Sequence, residues 1–238
     1  MSEGLKYTAY PLPAALMVEH QLSDEIIDTL NDYLDKLTKD KERESHGGLL
    51  VGQISEGEQL TMDRKAPELK EFAYIVHVLA VNYIQSFVKM TGVQVPPKTV
   101  EINDLWSVHS YAGDYNPIHD HGMKTIMGIS FTTWTKVPEQ IGRLGEGENQ
   151  NEEFTLHESS GAIDGFLTFT YGLNQLLDSD RLRPSQSRTV CPKVGRLLMF
   201  PCWLQHAVYP FKGEGERRTV AGNVNCWDIK EEGEDNGV

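Results

Sequence analysis

Val100-Glu-Ile-Asn-Asp-Leu-Trp-Ser-Val-His-Ser-Tyr111 alternates β-forming apolar residues with polar ones, breaks at Ala112-Gly-Asp114, and resumes as Tyr115-Asn-Pro-Ile-His-Asp-His-Gly122. The alternation predicts a half-buried strand, the Gly-Asp pair a turn, and the resumed segment a second extended piece. In an extended segment residues i and i+2 share a face, so His119 and His121 present two imidazoles to one point while Asp120 points away. Far downstream, Val194-Gly-Arg-Leu-Leu-Met-Phe-Pro-Cys-Trp-Leu-Gln-His206 runs an apolar strand into a proline corner and delivers a third histidine, His206. Three neutral nitrogens hold a divalent ion and leave other coordination positions open, and non-haem iron suits such a facial set. A set of His119, Asp120 and His206 is the alternative, and it requires a backbone bulge to turn the carboxylate inward.

Working outward, the residues past 95 read as short strands separated by turn residues: 125–137, 154–158, 163–171, 196–200, 206–211 and 217–227. The first hundred residues read as helical. Ser23, Asp24 and Glu25 followed by Ile26, Ile27, Leu30, Leu34 and Leu37 give an N-cap, an acidic first turn and helical apolar spacing. Pro67 opens a second helix with a broad stripe through Phe72, Val76, Ala80 and Tyr83, and Gly92 ends it. Many short strands after two helices predict a mainly β, α+β architecture, a sandwich or jelly roll with the N-terminal helices packed on one sheet. One domain over 1–228 is expected, with 1–94 as helical support and 95–228 as the β core, followed by an acidic flexible tail at 229–238. The polar loop 138–150 and the long connection 172–188 are candidate lids.

The formal net charge of −13 argues against a broad basic face, so duplex nucleic acid is not an expected partner. No apolar run is read as a membrane span, and the start Met-Ser-Glu-Gly-Leu-Lys-Tyr lacks the order of a signal peptide; a cytoplasmic location is expected. Cys191, Cys202 and Cys226 form no Cys-x-x-Cys pair, and reduced buried thiols are expected of them. His20, His46 and His77 have no partner spacing and are read as core or surface residues; His109 and His157 are read as structural.

After His206 comes Glu216-Arg-Arg-Thr-Val-Ala-Gly-Asn-Val-Asn225, a strand on which Arg217 and Thr219 share a face and Arg218 lies opposite. A guanidinium beside a hydroxyl forms a clamp for a carboxylate, because the planar fork donates two parallel charge-assisted bonds. Tyr111, Asn116, Ser130, Thr132 and Trp134 are further candidates to line a pocket.

Gly-Asp-Tyr-Asn before His-x-His, a distal Phe-Pro-x-Trp-Leu-x-His, and Arg-x-Thr with Asn223 beyond resemble the 2-oxoglutarate and Fe(II)-dependent oxygenase superfamily over about residues 100–228. Within it the blocks most resemble an oxygenase family common in marine bacteria and their phages. The resemblance implies a double-stranded β-helix, Fe(II) as cofactor and 2-oxoglutarate as cosubstrate, with decarboxylation to succinate driving hydroxylation of an unidentified substrate, a small molecule or a protein side chain. By position, His119, His121 and His206 match the metal ligands and catalytic centre, and Arg217 and Thr219 match the grip on the distal carboxylate of 2-oxoglutarate. Most of the superfamily has His-x-Asp where this chain has His-x-His. A cupin-type metal enzyme or binding module that does not use 2-oxoglutarate is the alternative, but Thr125 and Ile126 stand where its glutamate belongs, and Arg217 has no task in that scheme.

Overall fold

The structure is a computed structural model that describes residues 15–49, 52–55, 57–96, 98–122, 124–125, 127–144, 163–172 and 187–229. Among these residues ten strands form two antiparallel sheets. The larger has the order β1 (Val18–Gln21), β8 (Arg196–Pro201), β5 (Gly128–Lys136), β10 (Arg217–Asp228), β3 (Lys98–Ser110), β2 (Glu58–Thr61). The smaller has the order β4 (Asn116–His119), β9 (Gln205–Val208), β6 (Leu167–Thr170), β7 (Ser187–Val190). This is the double-stranded β-helix that the resemblance implied, and it agrees with the sandwich or jelly roll read from the strand pattern.

Strand parity divides the large sheet into two faces with different tasks. Helices α1 (Asp24–Leu37) and α2 (Lys70–Thr91) cover the outer face, where Ile26, Leu30, Leu34, Phe72, Val76 and Ala80 pack with Leu105, Ile129, Leu197, Val220 and Val224. Burying each such side chain contributes about 1.5–3 kcal/mol, so the apolar stripes of the two helices fix which sheet face is left for the interior. The alternate residues of β3, β5 and β10 therefore look toward the smaller sheet. At Gly222 the outer face is crowded: a Cβ would lie 2.5 Å from the Phe131 ring and 2.6 Å from the Asp104 carbonyl, so only glycine fits where β10 crosses between β3 and β5.

A charged cluster ties α1 to the central strand. Arg218 donates to Glu216 Oε1 at 2.8 Å and to Asp35 Oδ1 at 2.7 Å, and His109 Nδ1 meets Glu216 Oε1 at 2.7 Å. Burial works against the Glu216 carboxylate, but the bonds from His109 and Arg218 outweigh it and hold its pKa down to about 2. A carboxyl depressed on folding contributes stability that is complete above its unfolded pKa and lost as pH falls through the folded one. Glu216→Gln is therefore expected to cost on the order of 2 kcal/mol at pH 7, with the gap to wild type closing between about pH 4.5 and pH 2. Urea midpoints of both proteins at pH 7, 4 and 2.5 measure it, and a gap that does not change with pH would refute the linkage.

Several expectations need correction. The first hundred residues are not wholly helical: β1 and β2 pair with β8 and β3. Each has four residues, too few for periodicity to show, and β1 is exposed along most of its length, so backbone hydrogen bonding holds it rather than side-chain burial. The polar loop after Pro138 opens with helix α3 (Glu139–Leu144). Residues 163–165 turn, with Gly165 at φ 78°, before β6 begins, and the end of the 172–188 connection joins β7. Pro67–Thr91 is, by length and composition, apolar enough to cross a membrane, contrary to the reading of the sequence; here α2 lays Phe72, Val76, Ala80 and Tyr83 into the core. The three cysteines are free and buried as expected. His157, the strand expected at 154–158, residues 145–150 of one candidate lid and 173–186 of the other, and residues 230–238 lie outside the described residues.

Candidate metal centre and carboxylate grip

The β4–β9 ladder pairs His119 directly with His206, and the backbone N–H of His121, two residues on, donates to Cys202 O at 3.0 Å. These pairings bring the three rings together, with centroids 4.3 Å apart for His119 and His206, 5.0 Å for His121 and His206, and 5.5 Å for His119 and His121. One nitrogen of each ring lies within 4.8 Å of the other two. Asp120 is exposed and outside this group, so the structure brings His121 rather than Asp120 to the other two histidines.

The outward nitrogens are already engaged. His119 Nδ1 donates to Pro117 O at 2.7 Å and His206 Nδ1 to Leu204 O at 2.9 Å. His121 Nδ1 meets Ser130 Oγ and Asn223 Oδ1, both at 2.9 Å, and Ser130 Oγ donates to the same Asn223 oxygen. A ring whose Nδ1 carries the proton must offer its lone pair at Nε2, so all three rings are set in the tautomer that binds metal through Nε2. At His119 that lone pair meets Asn116 Nδ2 at 3.2 Å.

Burial, and secondly the neighbouring His119 and His121, depress the pKa of His206 to about 3. Burial likewise lowers that of His121, against the opposing effect of the hydrogen bond it donates to Asn223. Neutral imidazoles are what metal ligation requires, so no proton has to leave these two rings at neutral pH. Three imidazole nitrogens suit iron, and equally zinc, copper or nickel.

The histidines open on a cavity of about 410 Å³ that also takes in Trp134, Arg217 and Thr219. Arg217 is 3% exposed. Its Nη1 donates to Gly165 O at 2.9 Å and Tyr209 O at 3.3 Å, its Nη2 to Ser110 Oγ at 3.3 Å, and its buried Nε has no partner among the described residues. Burial lowers its pKa to about 10, which leaves it charged at neutral pH, and it forms no ion pair with any described residue. A buried cation without an anion is costly, and a ligand carboxylate in the cavity is the natural remedy. Arg218, on the opposite face, satisfies itself with Glu216 and Asp35, as strand parity predicts.

Other residues divide as follows. Thr132, Trp134 and Asn116 line the cavity; Ser130 supports His121 instead; Tyr111 is not part of the lining. Asp114 is buried and accepts from the backbones of Ser55 and Tyr111, so it fastens the loop that leads into β4. His20 and His77 are exposed, and His109 is structural, held by Ser107 and Glu216. His46 corrects its expected core or surface role: it lines the cavity, stacked on Trp106 at 5.1 Å and 5°. Gln59, Asp104 and Trp106 were likewise not foreseen as cavity residues, and nothing near them in the chain marks them.

A family model described as "Putative 2OG-Fe(II) oxygenase" matches residues 104–223, about half of the chain. No curated protein matches the sequence. Among solved structures, the fold is similar to that of a Pseudomonas putida prolyl-4-hydroxylase, with TM-score 0.54 and 12% identity over 88% of this chain and 91% of that one. AviO1 from Streptomyces viridochromogenes Tue57 gives TM-score 0.54 and 14% identity over 87% and 88%. HygX from Streptomyces hygroscopicus, solved with nickel, 2-oxoglutarate and hygromycin B bound, gives TM-score 0.50 and 12% identity over 89% and 82%. At such identities the likeness is one of fold.

Proposed function

Because the chain belongs to the 2OG-Fe(II) oxygenase family, and is thereby a dioxygenase that uses Fe(II) and 2-oxoglutarate, we propose that His119, His121 and His206 hold the iron and that Arg217 with Thr219 receives the distal carboxylate of 2-oxoglutarate. The reaction proposed is hydroxylation: a substrate C–H becomes C–OH with one atom of O2, while 2-oxoglutarate takes the other and leaves as succinate and CO2. Iron and cosubstrate supply that oxidation when bound, and the chain supplies position and shelter. The observation that carries the reading is the pairing, in one cavity, of three imidazoles set to ligate through Nε2 with a buried guanidinium that forms no ion pair with a described residue.

Each residue has a definable task. Pro117 O, Leu204 O and Asn223 fix the ring tautomers. Leu167, Trp134 and Phe200 give the cavity apolar walls that exclude water from the reacting centre. Arg217 is held by two carbonyls and a hydroxyl, so its fork is oriented before the ligand arrives. In a cupin-type scheme without 2-oxoglutarate this buried cation would have no partner.

Anaerobic addition of Fe(II) and then 2-oxoglutarate tests the reading directly. A visible metal-to-ligand charge-transfer band is expected only when both are present. Iron that binds tightly while 2-oxoglutarate produces no band would refute the proposal and favour the cupin scheme. Asn223→Ala removes the acceptor that orients His121, and metal affinity is expected to fall about 10- to 100-fold, as for other outer-shell partners. Calorimetric titration with Mn(II) measures this, and an unchanged affinity would remove Asn223 from that task.

A further inference from the structure

One wall of the cavity is used neither by the imidazoles nor by Arg217. It stands on the β2–β3 edge of the large sheet, where His46 is held beside β2 by its backbone N–H to Gln59 O at 2.8 Å. Gln59 is only 7% exposed, lines the cavity, and makes no side-chain hydrogen bond with any described residue; its Oε1 is buried without a partner. Buried carboxamides in native proteins are hydrogen-bonded, so an unpaired one on a cavity wall marks where a ligand completes the set. Beside it the His46 ring lies flat on Trp106, forming an aromatic surface, and burial keeps His46 from adding positive charge.

The charges of the cavity point to the kind of ligand. Asp104 and Asp120 are its two carboxylates, and neither forms an ion pair with a described residue; Asp104 accepts one bond, from Asn103 Nδ2. Both act electrostatically on His121, so their charge is felt at the metal centre. When iron and 2-oxoglutarate are bound their charges cancel, and Arg217 offsets one of the two carboxylates. One negative charge remains, on the side away from the guanidinium: register sets Asp104 opposite Asn223, whereas Arg217 stands opposite Ser110 at the far end of β3. An electropositive substrate is drawn to such a site and an acidic one repelled.

Resting on the iron and 2-oxoglutarate reading above, we infer that the β2–β3 wall is the substrate subsite and that the substrate carries a cationic nitrogen, an amine or guanidinium. Asp104 neutralises that nitrogen, Trp106 and His46 cover the adjoining aliphatic part, and Gln59 accepts a hydrogen bond from a second polar group further along β3. A free amino acid and a lysine or arginine side chain in a peptide share this chemistry.

Succinate formation by the full chain loaded with iron and 2-oxoglutarate provides the test. The probes are free L-lysine and L-arginine, short capped peptides containing one lysine or one arginine, and, as controls without a cationic nitrogen, the Nα-acetyl amides of norleucine, citrulline and glutamate. At least tenfold stimulation over the substrate-free rate is expected from one or more cationic probes, and less than twofold from the uncharged and acidic ones. Stimulation by free amino acids identifies a small-molecule substrate; stimulation by peptides alone identifies a side chain. Asp104→Asn is expected to raise KM for the stimulating cation at least tenfold with kcat within threefold, a split that general damage to the fold would not produce. Gln59→Leu is expected to raise the same KM. Stimulation by uncharged or acidic probes equal to that by cations, or by no probe at all, overturns the inference. The charge-transfer band and the slow substrate-free release of succinate report on iron and 2-oxoglutarate alone, so their persistence in that event would show that the function stands while the substrate class does not.

Discussion

His206→Ala is expected to abolish iron-dependent succinate formation, a loss of about 10³-fold or more, because no other described side chain can take its place in the cluster. His206 is the most enclosed of the three rings, 5% exposed, and faces His119 across the β4–β9 ladder. Its ring also packs on Phe200, with centroids 5.1 Å apart, so the substitution removes buried contacts as well as a ligand. A fall of about 1–3 kcal/mol in stability is therefore expected even without metal. The two effects separate in a melting experiment. Metal that binds only the folded state stabilises it by about 2.7 kcal/mol at a hundred times Kd, so Mn(II) should raise the Tm of the wild type and leave that of His206→Ala unmoved. His109→Ala is the control. His109 is equally buried but bonded to Ser107 and Glu216 on the outer face, so that variant should lose stability and keep its full response to metal. A wild-type melting shift in His206→Ala would exclude His206 from the metal centre.

The legible part of the site lies where side-chain parity and sequence spacing carry geometry. His119 and His121 share a face because they are two apart in an extended segment, and Arg217 and Thr219 share one for the same reason. The Phe-Pro-x-Trp-Leu-x-His run shows that His206 follows a corner, although its pairing with His119 is visible only once β9 lies beside β4. The part that sequence does not carry depends on short edge strands. Gln59 reaches the cavity only because β2 pairs with β3 in the register that sets it opposite Val108, and His46 only because its backbone bonds to Gln59. Four-residue strands and a six-residue helix such as α3 leave too few positions for a period to emerge. Ser130 and Asn223 illustrate a further gap: each looks like an ordinary polar residue in a strand, and their joint hold on His121 exists only because β5 and β10 pair them directly.

Arg217→Met is expected to raise the concentration of 2-oxoglutarate needed for half-maximal turnover by about 30- to 4000-fold. Removing one partner of a buried charge pair costs about 2–5 kcal/mol, and each 1.36 kcal/mol is tenfold. The guanidinium is suited to this because it lies in the cavity charged, oriented by Gly165 O, Tyr209 O and Ser110 Oγ, and without an ion pair to any described residue. Arg217→Lys keeps the charge but not the fork, and is expected to recover only part of the loss. The variant also deprives two carbonyls of their donor, so a stability cost of about 1–3 kcal/mol is expected whatever the ligand. The carboxylate role can be isolated with 2-oxopentanoate, which retains the 2-oxo acid and lacks the distal carboxylate. Wild type should bind it poorly, Arg217→Met should bind it about as poorly, and the difference between the two proteins should nearly vanish. Charge-transfer titrations of both proteins with both 2-oxo acids close the cycle. If Arg217→Met weakened the two ligands by the same factor, the guanidinium would be a structural cation of the fold and the distal carboxylate would be held by another group.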